Sequence, residues 1–267
     1  MRLMSRLTVL FLFLFSQRAQ AFIPKNEYIF KALTEGREKV VSYKIDQTRV
    51  LYGREYENGK LELKEEVYLV MPWRYARKSS YGDKAQITIY DGSEALRMIG
   101  KKWTVPESKA VIPFIYGFYL SRDPDDLRAF LRSKGIDPDH TELSRINELI
   151  AILFKGTEKN RFDLFVDRDS FWPISYRSLV GETALNGKEY IRIMFTNYKN
   201  IYPKIFFPMK YSRFDKEILS EQVTVNEIKI NGRVPVNIFD IANIKRKYQR
   251  FEKGIDPDYY SIDYTVQ

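Results

Sequence analysis

The chain has 267 residues, 44% of them hydrophobic and 30% charged, which gives enough apolar material for one large core and too much charge for a multi-spanning membrane protein. It holds no cysteine and a single histidine, so thiol nucleophiles, disulfide frameworks, thiolate zinc sites, lipid attachment to an N-terminal cysteine and a His-rich metal centre are excluded. The net charge of +9 includes three arginines of an N-terminal leader; the remaining mild excess fits solubility or attraction to anionic lipid headgroups rather than a nucleic-acid footprint.

In the leader, Arg2 and Arg6 precede an apolar run from Thr8 to Phe15 that is too short to span a bilayer, and Ala19-Gln20-Ala21 places small residues two apart. This predicts a signal peptide over 1–21, cleaved after Ala21, and delivery to the periplasm of a two-membrane bacterium. The competing reading, an uncleaved anchor, requires roughly twice that apolar length.

After Pro24, Ile29, Ala32, Leu33 and Gly36 recur at i, i+3, i+4 and i+7, which predicts an amphipathic helix between Asn26 and Val41 that lies against a sheet with Gly36 at a close contact. From Val41 the period changes to two. Val41, Tyr43 and Ile45 alternate with Ser42, Lys44 and Asp46, as in a half-buried strand. Asn58-Gly59 marks a hairpin, and the odd positions Leu61, Leu63, Glu65, Val67, Leu69 and Met71 form the buried face of the next strand. Further strands follow at 85–90 and 95–99 around an Asp91-Gly92 turn.

The middle of the chain reads as helical. Asp123-Pro124 starts one helix with the stripe Leu127, Phe130 and Leu131, closed by Lys134-Gly135. Asp139 and Glu142 resemble a capping box, and Leu143, Ile146, Leu149, Ile150 and Leu153 then predict a second helix ended by Gly156. Residues 123–156 are therefore expected as a helical insertion. Strand patterns resume at 162–166, 172–179, 189–195, 204–211 and 218–230. Nine or ten strands joined by short turns predict an α+β, mainly antiparallel fold with one domain over 22–245. Residues 246–267 are charged and tyrosine-rich without a period, and read as a surface-bound or mobile tail.

Chemical motifs are missing. His140 has no Gly-x-Ser-x-Gly elbow to pair with and reads as a surface or capping residue, while Asp167 and Asp169 fall where a hairpin turn is expected. Glycine-rich phosphate loops, EF-hand loops and His-Glu-x-x-His are absent, so no catalytic residue, metal ligand or cofactor is assigned. In excess are 19 tyrosines, 18 phenylalanines and 3 tryptophans, mainly on the strand patterns. They are either plain core or the lining of a concave face that accepts a lipid or acyl chain.

Several segments carry a resemblance. Tyr68-Leu69-Val70-Met71-Pro72-Trp73-Arg74-Tyr75 is a strand that ends in proline and restarts with arginine; Ile89-Tyr90-Asp91-Gly92 is a turn. Phe165-Val166-Asp167 through Ser170-Phe171-Trp172-Pro173-Ile174 is a hairpin with an acidic turn, and Val225 to Phe239 reads as a closing strand. In this order, behind a leader and a long helix, they resemble the bacterial lipoprotein-localisation (LolA-like) family over roughly Asn26 to Ile241. The resemblance implies an incomplete, half-open β-barrel wrapped around about three helices. It also implies a monomeric, non-enzymatic periplasmic carrier that takes lipid or lipoprotein acyl chains from an inner-membrane donor toward an outer-membrane acceptor.

Arg74 is the position that matches the family's strand arginine. Alternation adds Tyr43, Ile45, Leu63, Val67, Leu69, Ile174, Met194 and Phe207 as inward residues expected to line the hollow. The stripes of the two predicted helices are expected to form a lid hinged at Gly117, Gly135 and Gly156. A non-transporting lipid-sensing or partner-binding module of the same shape remains a second reading. A hydrolase, which requires carboxylates converging on His140, is a third.

Overall fold

The computed structural model describes residues 23–250 apart from 83, 107–111, 147, 158–161 and 184–186. The predicted leader and residues 251–267 of the tail lie outside the described residues. The chain starts with helix α1 (Asn26–Thr34) and a first meander of β1 (Ser42–Tyr52), β2 (Lys60–Val70), β3 (Arg74–Tyr81), β4 (Lys84–Tyr90), β5 (Ala95–Ile99) and β6 (Lys102–Thr104). Helices α2 (Phe114–Leu120) and α3 (Pro124–Ser133) follow. A second meander comprises β7 (Ile136–Ile146), β8 (Leu149–Gly156), β9 (Phe162–Asp167), β10 (Pro173–Thr183), β11 (Gly187–Tyr202), β12 (Ile205–Asp215) and β13 (Ile218–Ile230). Helix α4 (Ile241–Lys247) and the two-residue strand β14 (Gln249–Arg250) end the described chain.

All strands belong to one open sheet in the order β14-β6-β5-β4-β3-β2-β1-β13-β12-β11-β10-β9-β8-β7. Neighbours are antiparallel except β14, which lies parallel to β6. The two meanders meet where β1 pairs with β13, Tyr43 opposite Ile230 and Leu51 opposite Glu221. This order has a topological consequence. The connection from β6 to β7 must run from near one edge of the sheet to the other, and its helices do so across the concave face. There α2 is buried along its whole length.

One large cluster fills that concave face, joining Ile29 and Phe30 of α1, Tyr43 and Ile45 of β1, Val67 and Leu69 of β2, the residues of α2 and α3, and Phe207, Tyr211 and Val223 of the second meander. On the opposite face of the first meander, Tyr68, Ala76, Ile89 and Leu96 pack against Ile241 of α4, with Val234, Ile238 and Phe239 beside them. The closing segment is thus a strand only to Ile230; after Pro235 it turns helical and covers the back of the sheet. The first residues of the predicted tail are ordered against the same meander, where the Trp103 indole donates to the Tyr248 carbonyl at 2.9 Å.

Three local expectations are corrected. Helix α1 stops at Thr34, because Gly36 adopts φ +83° and lies against the Pro203 carbonyl, 2.5 Å from where a Cβ would sit. The predicted helix over 139–156 is instead the β7–β8 hairpin, with Glu142 opposite Leu153 and Leu143 opposite Ile152. Its apolar residues satisfy either period, but Ile152 and Phe154 alternate with Ala151 and Leu153 onto two different clusters, which a helix face does not permit. Pro138 is tolerated because β7 is an edge strand. The Asn26 amide covers that edge by donating to the carbonyls of Pro138 and Asp139 at 3.1 and 2.7 Å. Finally, α2 itself, which the sequence pattern did not announce, occupies the centre of the molecule.

Candidate functional site: a filled hollow and its mouth

The concave face is built in layers along the strands. At the level of Tyr43, Leu69 and Tyr75, paired across β1, β2 and β3, it is aromatic and meets α2. Tyr75 stacks on Tyr116 at 5.6 Å, Tyr43 meets Tyr119 edge-on at 6.3 Å, and Phe114 stacks on Tyr176 at 4.1 Å. Gly117 lets α3 approach: a Cβ there would lie 2.4 Å from the Phe130 ring. Few polar contacts hold α2. The Tyr116 hydroxyl donates to Gln47 Oε1 at 2.8 Å and lies 2.9 Å from the Tyr211 hydroxyl. The Tyr119 hydroxyl donates to the Phe206 carbonyl, and Arg37 Nη1 donates to the carbonyls of Phe118 and Ser121 at 2.6 and 3.2 Å. Two buried hydroxyls of the same layer, Tyr43 Oη and Tyr75 Oη, have no hydrogen-bond partner among the described residues. Burial pushes the Tyr43 hydroxyl up to about 12, against the lowering effect of Arg37.

Four residues further along β1 and β2, past Ile45 and Val67, the lining becomes ionic. Glu65 accepts from Gln47 Nε2 and Ser79 Oγ, both at 2.6 Å. It also lies 3.3 Å from Arg49 Nε and 3.8 Å from Arg77 Nε, and Arg49 reaches Glu221 at 3.4 Å. Burial by itself raises the Glu65 carboxyl, but Arg49, Arg77 and the two hydrogen bonds outweigh it and hold the group below its ordinary value. Beyond this layer Leu51, Leu61 and Leu63 form a small separate cluster.

At the other end a cavity of about 310 Å³ opens between α1, the C-terminal end of α2 and the β9–β10 and β11–β12 turns. Its wall includes Tyr28, Phe118, Tyr119, Phe171, Trp172 and Phe206, together with Arg37. The Arg37 side chain lies over the Phe118 and Tyr119 rings at 4.8 and 4.7 Å. Burial lowers its guanidinium from the ordinary value, and Tyr43, Tyr119 and Tyr198 act in the opposite direction.

The sequence-derived lining residues divide. Tyr43, Ile45, Val67, Leu69 and Phe207 lie in the central cluster, and Leu63 faces the same way beyond the ionic layer. Ile174 lies on the opposite face with Ala151, Leu153 and Phe165. Met194 is likewise on that face: it pairs with Ser175, while Ile193 and Phe195 on either side point inward. A one-residue offset in β11 accounts for this. Arg74 is exposed at the start of β3, so it does not line the hollow. The buried arginines Arg37, Arg49 and Arg77 were missed, as was Glu65 as a charged partner, although Arg49 and Glu65 stand on the inward alternation of β1 and β2.

The proposed lid divides too. Leu127, Phe130 and Leu131 of α3 are buried in the core, but Leu149 and Ile150 are exposed near the β7–β8 turn, Ile146 and Leu153 face the outer cluster, and Leu143 is half-buried. Gly117 is a packing residue within α2 rather than a hinge. His140 is exposed and its Nδ1 meets Asp137 at 2.7 Å. Asp167 Oδ1 accepts from the Asp169 and Ser170 amides at 3.1 and 2.7 Å, as expected of a turn former. Among the described residues, no helix is long and apolar enough to cross a membrane, and no group of three His, Cys, Asp or Glu side chains is arranged to hold a metal.

This architecture has solved counterparts. A domain assigned to outer membrane lipoprotein sorting in Vibrio parahaemolyticus superimposes with a TM-score of 0.52 at 12% identity, covering 83% of this chain and 97% of that chain. A DUF1329 family protein from Desulfovibrio piger gives 0.50 at 7% identity, covering 83% of this chain and all of that chain. No family model and no curated protein sequence matches the chain. At these identities the likeness is one of fold. The protein shares with the Vibrio parahaemolyticus domain an open, half-barrel fold, as the resemblance implied.

Proposed function

We propose that the protein is a non-enzymatic periplasmic carrier that shelters the acyl chains of a lipoprotein or lipid in its concave face, with α2 as the element they displace. The observation that carries this reading is the nature of the filling. All seven residues of α2 are buried, six of them apolar, yet the layer it fills keeps two buried hydroxyls without partners among the described residues. A helix of this kind occupies the space of a hydrocarbon ligand while leaving polar atoms unsatisfied, a departure that native cores rarely retain without use. The fold of lipoprotein-sorting domains supports the reading.

Magnitudes permit exchange. Exposing six large apolar side chains costs about 9–18 kcal/mol at roughly 1.5–3 kcal/mol each, and an acyl chain of about fifteen methylenes returns about 12 kcal/mol at roughly 0.8 kcal/mol per methylene. One chain roughly balances the displaced helix. A client with several chains therefore loads, and an acceptor that binds the client more strongly unloads it. Native mass spectrometry of the protein recovered from periplasm tests this. The expected result is a lipid or lipopeptide adduct, or stoichiometric uptake of a triacylated lipopeptide in vitro; absence of both would falsify the proposal.

A further inference from the structure

The unexplained feature of the mouth cavity is its charge. Arg37 is only 3% exposed, yet among the described residues no carboxylate pairs with it; its Nη1 is taken by two neutral carbonyls and its plane by two aromatic faces. The acids on the cavity wall are engaged elsewhere, Glu35 with Lys204 and Asp169 with Arg168. The Nε–Nη2 edge has no acceptor among the described residues, and Arg37 is part of the cavity wall. A buried cation of this kind calls for an anion, and that edge presents two parallel N–H groups of the spacing that a carboxylate accepts.

We propose that this cavity is a binding subsite for a small amphiphilic carboxylate. Its two oxygens sit on the Nε–Nη2 edge of Arg37 and its apolar part lies against Phe171, Trp172 and Phe206. The aromatic wall is held in place before binding. Asp167 fixes the turn that carries Phe171 through its bonds to the Asp169 and Ser170 amides, Trp172 stacks on Tyr198 at 4.9 Å and meets Phe206 at 4.7 Å, and Phe171 meets Tyr28 edge-on at 5.6 Å. Such preorganisation lowers the ordering cost of binding. A volume of about 310 Å³ stands at the small end of ligand pockets, which run roughly 300–1,000 Å³, and suits a medium-chain acid. The cavity is open while α2 is seated, so the subsite stands whether or not the hollow ever opens.

Isothermal titration of the full chain with octanoate, octanol and acetate is the test. Octanoate is expected to bind one to one, with octanol and acetate each at least ten-fold weaker. Arg37→Met, checked for an intact fold by circular dichroism, is expected to lose at least ten-fold in octanoate affinity with octanol unchanged. Arg37→Lys, which keeps the charge and loses the fork, is expected to fall between the two. Octanol binding as well as octanoate, acetate binding as well as octanoate, or folded Arg37→Met retaining octanoate would each overturn the proposal. The octanoate comparison on the unaltered chain needs no variant. Hydrogen exchange of α2, expected not to change with octanoate, separates a failure of this subsite from a failure of the carrier reading.

Discussion

At the scale of single residues, Glu65 is the most consequential side chain of the interior. It is 3% exposed and stands between Arg49 and Arg77 with two hydrogen bonds. Because its folded pKa is lowered from the ordinary 4.5, its contribution is complete above that value and is lost as pH falls through the lower folded value. Glu65→Gln is expected to cost about 3–5 kcal/mol near neutral pH by leaving two buried arginines without their shared carboxylate. It is also expected to flatten the acid side of the stability profile; denaturant midpoints measured between neutral and acid pH check both. Gly117→Ala is the second residue-scale prediction. Its new Cβ meets the Phe130 ring, so a loss of about 1–3 kcal/mol is expected. Phe130→Leu in the same chain is expected to recover part of it, read as a non-additive double-mutant cycle.

At the scale of elements, the strands were legible where alternation was strict and one face was wet. Over 61–69 the odd residues are buried and the register follows, and the 218–230 strand has the bounds its pattern suggests. The hairpin at 136–156 was not legible, because an edge strand beside an inner one places apolar residues on both faces and so imitates a helical stripe. Helix α2 was hidden for the opposite reason. An element apolar on every side carries no period at all, and Phe114–Leu120 has none. The candidate site was half legible for the same cause: strand alternation placed Tyr43 and Leu69, but the offset at Met194 and the ionic use of Arg49 and Glu65 depend on pairing between distant strands. The element-level prediction follows from the corrected hairpin. Since β7 and β8 are ladder strands, their amides are expected to keep the same exchange protection with and without an acyl ligand; a ligand-induced change over 136–156 comparable to that of 114–133 would restore them to the lid.

At the scale of the whole molecule, a sheet whose two meanders join at β1 and β13 requires its β6–β7 connection to link opposite ends of the sheet, and the helices of that connection pack in the concave face. That connection delivers α2 and α3 into the hollow, Arg37 and the acceptors of the Tyr116 and Tyr119 hydroxyls, Gln47 and the Phe206 carbonyl, hold α2 there, and the back of the first meander is closed by the C-terminal segment. The same topology makes the interior a place that the chain itself fills, and in the proposed carrier role an acyl chain takes the place of α2. Hydrogen exchange of α2 in the presence of a stoichiometric triacylated lipopeptide tests this most directly. The account predicts that amides of residues 114–120 lose protection on loading while those of β1 and β2 keep theirs; a loaded protein in which α2 exchanges as slowly as it does when empty would contradict it.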